Sequence, residues 1–155
     1  MRLPTVAAAL AALSIATGLP AQAVAPLDLD SATALPGTWS WSPAPDGSEA
    51  VFLSSAGLPQ LWLHCSRASR IVSIARPANA AAAFLSVWTT SQSRALPASF
   101  NPATARSTAQ LSAYDPLLDA LAFSRGRIAV AVGASPPVVA PAWPEIARIV
   151  EDCRA

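Results

Sequence analysis

The chain has 155 residues, ten basic positions against nine acidic ones, a formal net charge of +1 and only 12% charged residues. So even a balance gives no electrostatic reason to expect nucleic acid or an anionic membrane as partner, and one histidine with two cysteines leaves no zinc ligand set. Every basic residue is arginine, which we read as genome composition rather than as a binding surface.

Met1 to Ala23 reads as a secretory signal peptide. Arg2 is the positive n-region, Val6 to Ile15 is an alanine-rich apolar stretch, and Ala21-Gln22-Ala23 is the small-x-small pattern of a cleavage site. The apolar run is too short to span a bilayer and no cysteine follows it, so neither a membrane anchor nor a lipid anchor is expected. Its removal leaves nine arginines against nine carboxylates in a mature chain of about 130 residues, enough for one core. The expected location is periplasmic or secreted.

Val24 to Pro36, with Asp28 and Asp30, reads as a flexible leader, a mobile arm or an approach to the first strand, ahead of a single β-rich domain over 37–155. Short strand-like segments then follow one another. Thr38 to Trp41 and Ala50 to Leu53 flank Pro43-Ala44-Pro45-Asp46-Gly47, whose Asp-Gly step predicts positive φ and a hairpin reversal. Ser55-Ala56-Gly57 turns the chain into Leu58 to Cys65, Ser66 to Arg70 turns it into Ile71 to Ala75, and Pro77-Ala78-Asn79 precedes Ala83 to Thr89. This is a meander of about five strands. Arg94 to Phe100 and Arg106 to Leu111, around Asn101-Pro102, suggest a further hairpin.

From Tyr114 onward the capping residues agree with the periodicity. Asp115 is an N-cap, Pro116 suits the first helical position, and Gly126 can take the left-handed conformation that ends a helix. Leu117, Leu118, Leu121 and Ala122 form its buried stripe. Ile128, Val130 and Val132 alternate with Ala129 and Ala131, a strand with a small-residue outer face. Pro136-Pro137 and Pro141 break the chain before a terminal helix opened by Pro144, in which Ile146, Ile149, Val150 and Cys153 make one apolar stripe.

The two cysteines read as one structural disulfide. Alternation over Leu61-Trp62-Leu63-His64-Cys65 turns Leu61, Leu63 and Cys65 to one face and Trp62 and His64 to the other, while Cys153 lies on the buried stripe of the terminal helix. No CxxC pair exists, and His64 points away from Cys65, so a reactive thiol has no base beside it.

Candidate sites are few. A Ser-His-Asp triad would have to run through His64, the single histidine. Asp115 and Asp119 have the i, i+4 spacing of a carboxylate pair, but capping and the helix dipole account for both. Arg125 and Arg127, on either side of Gly126, could grip a carboxylate or phosphate in bidentate fashion, or stand as solvated arginines beside a helix end. Trp39 and Trp41 share a parity: exposed they form a binding stripe, buried they belong to the core. No metal and no cofactor is expected.

The strand ending in Cys65 and the segment Pro144 to Cys153, set in the order signal peptide, strand ending in cysteine, β-rich middle and short helix with a second cysteine, resemble small bacterial periplasmic proteins of the invasion-associated locus B type. The run Asp115 to Arg127 is similar to uncharacterised secreted proteins of alphaproteobacteria. What the resemblance implies is a periplasmic β-sandwich that acts by binding in envelope function or host interaction, with no catalytic motif to carry over.

The expected fold is mainly β: an antiparallel sandwich or small barrel, with a short helix before the last strand and a disulfide-anchored C-terminal helix. The expected function is a non-enzymatic binding or envelope-associated protein with an envelope protein partner. An inhibitor or accessory subunit of a cell-wall hydrolase is the alternative, prompted by the small disulfide-stapled β format, and a hydrolase built on His64 is a third reading.

Overall fold

Alternating side chains and short turns lay down the first four strands in sequence order. The computed structural model describes residues 24–155, so the signal segment 1–23 lies outside the described residues. Strands β1 (Gly37–Ala44), β2 (Gly47–Ser54), β3 (Pro59–Ser66) and β4 (Ile71–Pro77) form an antiparallel meander. The β1–β2 turn is Pro45-Asp46, and Gly47 is the first residue of β2, paired with Ala44. Positive φ, expected of the Asp-Gly step, is absent there. Glycine is needed at 47 for space: a Cβ would overlap the Cys65 carbonyl oxygen on the neighbouring strand.

The meander then leaves its sheet. β5 (Phe84–Trp88) and β6 (Ser93–Pro97) pair with each other, whereas β7 (Ser99–Asn101) and β8 (Arg106–Ser112) return to the first sheet. The segment read as one strand, Arg94 to Phe100, is thus divided at Ala98, where the chain passes from one sheet to the other.

Helix α1 (Pro116–Ala122) starts as expected, with the Asp115 carboxylate accepting from Leu117 N. It ends at Phe123, and Gly126, with φ +77°, serves the turn beyond rather than the cap. β9 (Arg127–Val132) follows. The proline pair expected to break the chain leads instead into β10 (Val138–Pro141), an edge strand on which Pro141 is tolerated. Helix α2 (Pro144–Arg154) closes the chain.

The strand orders are β1-β2-β3-β4-β8-β7 and β10-β9-β5-β6, two open antiparallel sheets and no closed barrel. Between them lie Phe52, Leu61, Leu63, Val72, Leu85 and Ile128, each worth about 1.5 to 3 kcal/mol of burial. α2 covers the inner face of β1 to β4 with Ile146, Ile149, Val150 and Cys153. The Cys65–Cys153 disulfide ties its end to β3, with Cα atoms 5.4 Å apart. Arg76 links the sheets, its Nη1 donating to Val130 O at 2.7 Å and Pro136 O at 3.1 Å, and burial lowers its guanidinium from the usual value.

The leader is packed rather than free-standing. Leu29 is buried together with Trp88, Ala129, Ala131 and Val139 on the outer face of the second sheet, and Leu27 joins them. Alanine on that face lets a second layer of chain approach closely. Trp88 Nε1 donates to Ala25 O at 2.9 Å and Leu35 N to Val139 O at 2.8 Å, which holds the leader at both ends.

Candidate functional site

Two turns lock together beside the leader. Thr89 Oγ1 accepts from Gln92 N at 3.0 Å and donates to Gln92 O at 2.8 Å, closing the β5–β6 turn. Ser124 Oγ donates to Arg127 O at 2.7 Å and accepts from Thr90 N at 3.0 Å, while Arg125 N donates to Thr90 Oγ1 at 3.1 Å. Short hydroxyl side chains favour such local backbone bonds, and here they brace one turn against the other.

This frame separates the two arginines. Arg127 Nη1 donates to Leu29 O and Asp30 O, both at 3.0 Å, so its guanidinium pins the leader. Arg125 is exposed, and among the described residues no side chain pairs with its guanidinium. The pair therefore does not converge on one anion, and Arg125 alone is free to meet a ligand. It lines a cleft of about 700 Å³ together with Thr90, Ser91, Phe123, Asp28 and Asp30. The Asp28 carboxyl is lowered from its ordinary value chiefly by the Ser31 hydroxyl.

Phe123 is the residue the sequence reading missed. It is 79% exposed, the most exposed large apolar side chain among the described residues. Its position one past the stripe Leu117, Leu118, Leu121 and Ala122 is the signal that could have found it: a helix end places that side chain off the buried face.

The tryptophans are mostly committed elsewhere. Trp39 is 4% exposed, packs against Phe52 with the rings tilted at 46° and their centres 5.4 Å apart, and donates from Nε1 to Pro141 O at 2.8 Å. Trp41 is partly buried under α2, its Nε1 donating to Asp152 Oδ2 at 3.0 Å and its ring carrying the Arg148 guanidinium at 3.3 Å. They face the same way, as their parity predicts, and that way is inward. Trp62 lies buried under Arg106, 3.7 Å from ring centre to guanidinium.

His64 faces outward between two acids. Asp46 Oδ2 lies 3.1 Å from Nε2 and Glu49 Oε2 lies 3.9 Å from Nδ1. The hydrogen bond to His64 lowers the Asp46 carboxyl from its usual value. Among the described residues no serine, threonine or cysteine is a hydrogen-bond partner of His64, so a base and its orienting acids stand there without a nucleophile. Asp115 and Asp119 take separate partners, Arg94 and Arg154, each at 2.7 Å. Among the described residues no cysteine is free, and no cluster of histidine, cysteine, aspartate and glutamate could hold a metal ion.

Compared with known proteins, the chain matches no family model, no curated protein and no solved structure. Among the described residues no helix is long and apolar enough to cross a membrane.

Proposed function

We propose that the protein is a non-enzymatic binding module of the bacterial periplasm or extracellular space, whose contact surface is the rim formed by Phe123 and Arg125. The observation that carries this reading is the pairing of a 79% exposed phenylalanine with an exposed, unpartnered arginine two residues on, at a rigidly braced turn over a cleft. Aromatic and arginine side chains are the residue types enriched at protein–protein contacts, because a ring offers a large surface at little loss of freedom and a guanidinium offers several donors in one planar fork. The Cys65–Cys153 bridge supports an oxidising compartment.

The partner expected here is a protein that sets an apolar group against Phe123 and a neutral hydrogen-bond acceptor against Arg125, because Asp28 and Asp30 give the cleft two carboxylates beside its one arginine. Crosslinked affinity capture from intact envelopes, read by mass spectrometry, tests this with the mature protein and its Phe123→Ala/Arg125→Ala variant. Loss of a specific partner from the variant, with an unchanged melting temperature, is the expected result. A capture pattern identical for both proteins overturns the assignment. If the captured partner is a cell-wall hydrolase, an activity assay with added protein separates an inhibitor from a passive binder.

A further inference from the structure

The outer edge of the first sheet carries a second surface, which shares no lining residue with the Phe123–Arg125 cleft. β1 ends its sheet, and the pairing tells which of its backbone groups are open. Ala44 faces Gly47 across a tight turn, and Ser55 N donates to Pro36 O at 2.8 Å, so the even-numbered residues of β1 bond to β2. The N–H groups of Trp39 and Trp41 and the carbonyls of Gly37, Trp39, Trp41 and Pro43 therefore face outward, with no backbone partner among the described residues. Pro43 has no N–H to give and stands on the open side, where it interrupts no existing bond.

Helix α2 lies over the inner face of the sheet and reaches β1 at this edge. Trp39 bonds to Pro141 just before the helix, Arg148 stacks on Trp41, and Asp152 accepts from both Trp41 and Ser48 near its end. Strand and helix are thus aligned, and a groove of about 680 Å³ lies between Trp41 and the side chains of Glu145, Arg148, Glu151 and Asp152. Its charge is one-sided, three carboxylates against one arginine, and that arginine lies against the Trp41 ring. Glu145 Oε2 is shielded from solvent and has no hydrogen-bond partner, a shielded acceptor still open to a donor.

We propose that this groove binds an extended peptide segment bearing arginine or lysine at alternate positions, added to β1 as a further strand. An open strand edge supplies main-chain hydrogen bonds to any extended chain, and the side chains of the added strand that face the helix set the specificity. In this groove those side chains meet carboxylates, so the favoured ones are cationic. A second copy of the chain, joined edge to edge through β1, would instead bring two acidic grooves together, which charge disfavours.

The probe is a fluorescently labelled heptapeptide of alternating valine and arginine, read by anisotropy against the mature protein. Two control peptides replace arginine by glutamate, or methylate the backbone nitrogens on the side that meets β1. Both controls should bind at least about tenfold more weakly, and added salt should weaken the arginine peptide. A Glu145→Gln/Glu151→Gln variant should lose about tenfold in affinity while its melting temperature falls by a few degrees at most, the effect of removing the first-turn charge of Glu145 from α2. The Phe123→Ala/Arg125→Ala variant should bind the peptide as the unchanged protein does, so failure of either site leaves the other standing. Equal binding of the arginine and glutamate peptides, binding that survives methylation, or a β1-joined dimer that the peptide does not dissociate overturns the proposal.

Discussion

Trp41 Nε1 donates to Asp152 Oδ2 at 3.0 Å, joining residues that lie 111 positions apart in the chain. Ser48 Oγ donates to the same oxygen at 2.7 Å, and Cys153, the next residue, is bridged to Cys65. Consecutive residues of α2 are therefore held to β1, β2 and β3 by two different kinds of bond. Asp152→Ala should destabilise the fold by about 1 to 3 kcal/mol, because it leaves the fully buried Ser48 hydroxyl and the Trp41 N–H without an acceptor. Asp152→Asn retains one acceptor oxygen and should lose less. Urea unfolding followed by tryptophan fluorescence gives both numbers; an alanine variant as stable as the parent would show that water replaces the carboxylate at no loss.

The disulfide spans 88 residues of sequence. In the chain-entropy picture, closing a loop of that length stabilises the fold by about 4 to 5 kcal/mol, a large share of a small domain's total. The Cys65→Ala/Cys153→Ala variant should accordingly melt far below the parent or fail to fold at 37 °C, and reduction of the parent should act in the same direction. Calorimetry under oxidising and reducing conditions tests this. A reduced protein with an unchanged melting temperature would mean that packing of Ile146, Ile149 and Val150 alone holds α2.

Asp115 supplies a pH-dependent contribution. Partial burial opposes its ionisation, but the Arg94 guanidinium and the Leu117 N–H outweigh burial and lower the carboxyl below its ordinary value of 3.8. Because the folded-state value is the lower one, the ionised group stabilises the fold above the ordinary carboxyl value, and this contribution fades as pH falls through the folded-state value. Asp46, lowered by its bond to His64, acts in the same sense at a more exposed site. Asparagine also caps helices well, so Asp115→Asn removes the charge while keeping the cap. The stability difference between parent and variant should be largest near neutral pH and should shrink as pH falls below the ordinary carboxyl value of 3.8; a difference independent of pH would assign the whole effect to capping geometry.

Local patterns were legible wherever a face was repeated. Alternation placed Leu61, Leu63 and Cys65 inward and Trp62 and His64 on the opposite face, where Arg106 nonetheless buries Trp62, and the stripe through Ile146, Ile149, Val150 and Cys153 found α2 and its bridge. Features that depend on distant partners were not legible. Nothing in Arg94 to Phe100 says that Leu96 packs in one sheet and Phe100 pairs in the other, since the choice is made by β5 and β8. β10 was hidden because three apolar residues between prolines read as a break, although an edge strand accommodates proline. At the cleft, Arg125 and Arg127 were found by their place on either side of Gly126, but their division of labour follows from the leader, which lies about 100 residues earlier in the chain. The alanine face of β9 was read as outer, and it is outer with respect to the main core; the chain simply covers it a second time.

That second layer gives the last prediction. Arg127 holds the leader through the carbonyls of Leu29 and Asp30, and Leu29 fills the apolar site over Ala129 and Ala131. Arg127→Ala should weaken the fold by about 1 to 3 kcal/mol through the lost charge-assisted bonds, and Leu29→Ala by about 2 kcal/mol through lost packing. Both should loosen the leader locally before the core unfolds, because the bonds that remain, Trp88 to Ala25 O and Leu35 to Val139 O, hold its ends rather than its middle. Hydrogen exchange reads this directly: the amide of Ala32, bonded to Asp28 O, should lose protection in either variant while those of β3 keep theirs. Arg125→Ala should leave the same amide untouched, since its side chain bonds to no part of the leader. If Ala32 and Leu35 exchange freely in the parent, the leader is the mobile arm that its composition suggests, and the cleft beside Phe123 loses the wall formed by Asp28 and Asp30.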